Sequence, residues 1–110
     1  MGRSKTDILQ GMLDMLVLKT LADEPLHGYG IAQRLRSLSD DRLQVPQGSL
    51  YPAVHRLENR GFVRGEWAAS PTGREAKYYR LTAKGRRELE SQVEAWRDLS
   101  LVIGAVLGPS

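Results

Sequence analysis

The sequence predicts a mostly α-helical domain interrupted by one small β-hairpin, and three observations carry that expectation. Three stretches with helical apolar spacing fill the first 60 residues, two short extended stretches follow with turn chemistry between them, and a long helical seam closes the chain. At 110 residues the chain has the length of one domain, enough to bury a core of its own.

Residues 7–22, DILQGMLDMLVLKTLA, place Ile8, Leu9, Met12, Leu13, Met15, Leu16, Val17, Leu18 and Leu21 at helical spacing, and the apolar arc runs most of the way round. A helix this apolar is buried on two sides, which leaves one side to meet a second subunit. Glu24-Pro25 ends it, because proline disfavours helical geometry at the residue before it. In the second helix, HGYGIAQRLRSL at 27–38, the spacing turns Tyr29, Ile31, Ala32, Leu35 and Leu38 inward and Gln33, Arg34 and Arg36 outward. SDDRLQ at 39–44 is a loop.

The third helix, about 47–60 within VPQGSLYPAVHRLENRG, is unusual. Capped by Gly48 or Ser49, it buries Leu50, Ala53, Val54 and Leu57, and Pro52 falls in the first turn or just beyond, where a missing N–H costs little. Gly61 closes it in left-handed geometry. The opposite face carries Gly48, Ser49, Tyr51, Pro52, His55, Arg56 and Asn59: hydrogen-bonding groups, a cation, and flat apolar groups suited to a thymine methyl. Such a helix packs on one face and leaves its N-terminal turn free to approach another molecule, with an anionic phosphate favoured there.

FVRGEWAA (62–69) and EAKYYRL (75–81) favour extended structure, and SPTGR between them makes a hairpin with a loop of about five residues. Arg74 at its tip and Lys77 and Arg80 on its second strand are candidate contacts to a nucleic-acid backbone, whereas Tyr79 and Leu81 face the core. Thr82 caps the last helix, in which Leu89, Val93, Trp96, Leu99, Ile103 and Val106 recur every three or four residues. Too little of the domain remains to cover a seam of that length, so it is read as pairing with a partner helix. Three helices, a hairpin and a helix make a winged helix-turn-helix, residues 1–81 with the wing at about 62–81, followed by a dimerisation helix at 82–110.

Charge is divided unevenly along this frame. Residues 45–87 hold nine basic and three acidic side chains, while residues 88–110 hold one basic and four acidic. A local basic excess over the third helix and hairpin is an electrostatic footprint for nucleic acid, set against the blander reading of a solvated surface. With no cysteine, disulfides, thiolate zinc sites and cysteine nucleophiles are excluded. His27 and His55 are the only histidines, and no histidine or carboxylate cluster has ligand-like spacing, so neither an enzyme nor a cofactor is expected. No leader pattern and no membrane-length apolar run is read, which gives the expectation of a soluble cytoplasmic protein.

HGY at 27–29, VPQGSLYPAVHRLENRGFV at 45–63 and GREAKYYRLTAKGRRELE at 73–90 closely resemble the PadR family of bacterial transcriptional regulators, in its short subfamily with a single long C-terminal helix. The resemblance implies a homodimeric repressor of a pseudo-palindromic operator in double-stranded DNA. It implies groove-facing roles for Gln47, Ser49, Tyr51 and His55, and wing contacts from Arg74 and Lys77. The basic side chains Arg56 and Arg80 are read beside these as further phosphate contacts. Dimerisation would use the first helix (Leu9, Met12, Leu16) and the last. Some family members release DNA on binding small aromatic effectors near the dimer interface. Trp96 stands in that seam as a packing anchor or as the ring on which such an effector stacks. Two rivals are kept: a winged helix that binds protein, and a multidrug or phenolic-ligand sensor in which DNA binding is secondary.

Overall fold

The computed structural model describes residues 12–108. Along the chain these form α1 (Leu13–Thr20), β1 (Leu26–His27), α2 (Gly28–Leu38), α3 (Gln47–Asn59), β2 (Val63–Ala69), β3 (Glu75–Leu81) and α4 (Ala83–Leu107). The strands form one antiparallel sheet in the order β1-β3-β2, with Val63 opposite Leu81 and Ala69 opposite Glu75. Val17 and Leu18 of α1, Ile31 of α2, the full stripe Leu50, Ala53, Val54 and Leu57 of α3, and Phe62, Val63, Tyr79 and Leu89 are buried in one continuous core.

The first helix, expected over 7–22, is helical over Leu13–Thr20 within the described residues and ends a turn before Glu24-Pro25; Leu9 lies outside them. Strand β1 was not expected. Two residues are too few to show alternation, and their pairing with Tyr79 and Tyr78 is a tertiary event. It ends in His27, whose Nδ1 accepts from the Gly30 N–H at 2.9 Å and caps α2, while its ring lies 5.2 Å from that of Tyr78. Tyr29 and Leu38, expected inward, are exposed. Tyr29 sits roughly 160° round α2 from buried Ile31, and Leu38 lies in the last turn, beyond the core.

Helix α3 covers the expected stretch, but its capping residue differs. Pro46, not Gly48 or Ser49, is its cap, and it offers only a backbone carbonyl, to the N–H groups of Ser49 and Leu50 at 3.0 Å. Pro52 therefore lies in the second turn, where the N–H it lacks would have bonded the Gly48 carbonyl. The end follows the glycine signal. Gly61 adopts φ 78°, its N–H donates to Glu58 O at 3.0 Å, and the Phe62 N–H donates to Leu57 O at 2.9 Å, the paired bonds of a Schellman motif.

Phe62 also reaches forward. Its carbonyl accepts from the Thr82 N–H at 3.1 Å, and Thr82 Oγ1 donates to Gly61 O at 2.7 Å while accepting from the Gly85 N–H at 3.0 Å to cap α4. The guanidinium of Arg60 and the ammonium of Lys84 lie 4.9 and 5.3 Å from the Phe62 ring centroid. The end of α3 and the start of α4 are thus bound to the same residue. From there the 25 residues of α4 run about 37 Å. Leu89 is buried and Val93 half-buried against α1, and the remainder projects from the body.

Candidate nucleic-acid interface

Because Leu50, Ala53, Val54 and Leu57 hold one side of α3 in the core, its N-terminal turns present Gln47, Gly48, Tyr51, Pro52 and His55 outward. The hairpin rises beside them. Its five-residue tip is closed by bonds from Ser70 N to Arg74 O at 2.7 Å and from Gly73 N to Ser70 O at 2.9 Å, with Gly73 at φ 87°. Between helix, hairpin and the start of α2 lies a groove of about 580 Å³, walled by Tyr51, His55, Trp67, Arg74 and Lys77 with His27 and Tyr29 at its end.

The structure gathers four of the eight candidate contacts, Tyr51, His55, Arg74 and Lys77, around this groove. Gln47 is exposed at the start of α3 beside a shallower depression shared with Tyr29, and Ser49 is half-buried in the first turn. Arg56 and Arg80 lie apart from it. The Arg56 guanidinium bonds Asp14 of α1 at 3.0 Å. Arg80 alternates to the opposite face of the sheet from Lys77 and Tyr79, 4.0 Å from Glu66. Burial pushes the Tyr79 phenol up, opposed by the neighbouring Lys77 ammonium, so the ring beneath the groove stays neutral.

Two residues of the site escaped the sequence reading. Trp67 is 68% exposed over the groove. Alternation puts it on the same side of β2 as buried Val63, a pattern that reads as core, but the strand outruns the core before reaching it. Gly28 is the other. A Cβ there would lie 2.8 Å from Tyr51 Cε1 and Oη, so the absent side chain is what lets the Tyr51 ring settle on α2, 42% exposed. Gly28→Ala should therefore displace that ring. A half-exposed ring can yield, so the cost falls near the lower end of overpacking, about 1 kcal/mol, or a melting temperature lower by about 5 °C. An unchanged melting curve would mean that the ring is not seated there.

Trp96 and the dimerisation candidates lie elsewhere. Met12 and Leu16 are half-buried at the edge of the core. Met15, Leu16, Leu89, Val93 and Trp96 line an open, largely apolar groove of about 680 Å³ between α1 and α4. Beyond it Leu99, Ile103 and Val106 are exposed on α4. Among the described residues no group of three or more histidine, aspartate or glutamate side chains is placed to hold a metal ion, and no helix is long and apolar enough to cross a membrane.

A helix docked by one face, with its first turns and a β-wing framing an open groove, defines a winged-helix domain of the transcriptional-regulator class. Residues 17–91 match the transcriptional regulator PadR-like family, and the chain belongs to it. The transcriptional regulator Rv3488 of Mycobacterium tuberculosis is 34% identical over 84 residues, covering 76% of this chain and 75% of that protein. Among solved structures, a PadR-like transcriptional regulator of Bacillus cereus superposes with a TM-score of 0.81 at 28% identity, covering 94% of this chain and 99% of that one. A PadR family transcriptional regulator of Eggerthella lenta gives 0.79 at 33% identity, covering 96% and 89%. Members of this family are transcriptional regulators, not enzymes.

Proposed function

We propose that the protein is a homodimeric, sequence-specific DNA-binding repressor, each protomer placing α3 in one of two successive major grooves of a pseudo-palindromic operator. The observation that carries this reading is the groove shared by the first turns of α3 and the wing, with Arg74 at its rim. Gln47, Tyr51 and His55 read base edges from the free face of α3, with half-buried Ser49 at its margin, and Arg74 holds phosphate. Arg56, paired with Asp14, and Arg80, beside Glu66 on the far face of the sheet, are set away from the groove and are given no base or phosphate contact in this reading. Residues 1–81 bind DNA and residues 82–110 pair the protomers, which sets half-sites about 34 Å apart. The exposed seam Trp96, Leu99, Ile103 and Val106 supports the pairing, and Met12 and Leu16 extend it along α1.

A second activity, release by a small aromatic effector, is favoured by the apolar groove beside Trp96. An effector acts there only by binding the DNA-competent and released arrangements unequally.

The test is fluorescence anisotropy with labelled DNA from the protein's own upstream region and a scrambled control, across a range of salt. Preference for the native fragment that persists as salt rises supports the reading. Equal, steeply salt-dependent binding to both leaves only a basic surface, and no binding at low salt favours a protein-binding winged helix. Arg74→Ala should weaken all sequences alike by roughly tenfold and reduce the salt slope by about one. Unchanged affinity at low salt would remove the wing from the interface.

A further inference from the structure

Lys77 stands in the groove, yet its charge is already engaged. Its Nζ lies 3.2 Å from Glu58 Oε2 and 3.3 Å from Oε1, and the two side chains are only 31% and 29% exposed. Glu58 belongs to the last turn of α3, Lys77 to the second wing strand, and the link crosses Gly65 of the first. A Cβ on Gly65 would fall on the Lys77 Cε, 2.9 Å from Glu58 Oε2 and 3.2 Å from Tyr79 Cε1. Gly65 thus leaves the channel through which the lysine reaches the helix, and the Tyr79 ring, 5.5 Å from Nζ, floors it. Three elements meet at this ion pair, partly shielded from water and so less screened than an exposed one.

We infer that Lys77 is a positioning residue: through Glu58 it locks the wing to the recognition helix and fixes the angle at which both meet DNA. This rests on the DNA-binding reading above and departs from a simple phosphate contact. A lysine neutralised by a carboxylate at 3.2 Å brings no net charge to the interface, whereas one that neutralises a phosphate releases a counterion and steepens the salt dependence. Arg74 has no such acidic partner among the ion pairs of the described residues.

The two roles separate in a charge exchange. Lys77→Glu alone sets two carboxylates against each other and should weaken DNA binding by about tenfold or more. Adding Glu58→Lys restores an ion pair of the opposite sense and should return affinity to within about threefold of the unaltered protein, with the salt slope unchanged. Gly65→Ala, which keeps both charges and blocks the channel, should weaken binding as well. A readout independent of DNA comes from Trp67, which pairs with Lys77 across the hairpin and becomes the only tryptophan once Trp96 is replaced by phenylalanine. Its steady-state anisotropy in the free protein should fall in Lys77→Glu and recover in the exchange.

Recovery of both signals establishes the lock. Recovery of Trp67 order without recovery of affinity, with the slope lower by about one, would assign Lys77 to a phosphate and overturn it. No change in either signal for Lys77→Glu would show an idle surface pair and overturn it too. If Lys77→Glu fails to fold, the exchange and Gly65→Ala decide the matter alone. If the unaltered protein binds no DNA while Trp67 still follows the pair, the proposed function fails and the lock stands.

Discussion

Replacing Leu99 and Ile103 together with aspartate should convert the protein to monomers and lower operator affinity by two to four orders of magnitude. The two side chains are 50% and 44% exposed in the single chain and lie on the same seam of α4 as Trp96. Burying one such side chain fully contributes about 1.5–3 kcal/mol, and a symmetric interface holds each of them twice. Charged replacements forfeit that burial and would set carboxylates in an apolar contact. A monomer then binds half-sites separately and loses the high effective concentration that linkage confers, typically about 10²–10⁴ in affinity. Sedimentation velocity reads the first effect and anisotropy the second. Neither residue belongs to the core, so the winged domain should still unfold cooperatively. A variant that remains dimeric at micromolar concentration would place the interface elsewhere.

The second large effect is on folding. At Gly85 a Cβ would collide with the Phe62 carbonyl oxygen, 2.8 Å from its carbon and 2.9 Å from Leu81 Cδ1. Two of those atoms are backbone, held by the bond from Thr82, so they cannot swing aside as the Tyr51 ring can beside Gly28. Gly85→Ala must lift the first turn of α4 off the sheet. Overpacking of about 1–3 kcal/mol then adds to loss of the Thr82 cap, about 1 kcal/mol. The sum lowers the melting temperature by about 10–20 °C, measured at fixed protein concentration. A shift below about 2 °C would mean that α4 is not seated as described.

Features set by local rules were legible in the sequence. The stripe Leu50, Ala53, Val54, Leu57, the five-residue hairpin loop, the Gly61 stop and the Thr82 cap each depend on neighbours a few residues away. The cap of α3 was misassigned because capping preferences describe side chains, and Pro46 caps with a carbonyl alone. The site was legible as a face and a wing but not as a groove. Lys77 meets Glu58 19 residues away and Arg56 meets Asp14 42 residues away, so spacing along the chain could not show that both cations were engaged. Trp67 was hidden by the rule that identifies core positions in a strand, and Gly28 by having no side chain to notice.

The shared residue between α3 and α4 has a mechanical consequence. With its N–H bonded to the last turn of α3, its carbonyl on the residue that caps α4, and its ring against Arg60 at the end of one helix and Lys84 at the start of the other, Phe62 ties the two helices directly. A turn of one would be passed to the other as in a bell crank, with α4 as its long arm. Over an arm of about 37 Å a rotation of only about 5° sweeps roughly 3 Å, about the rise of one base-pair step. In the proposed dimer, the register of two reading heads on a duplex would therefore be governed at the far ends of the α4 arms, by changes in packing too small to disturb either head.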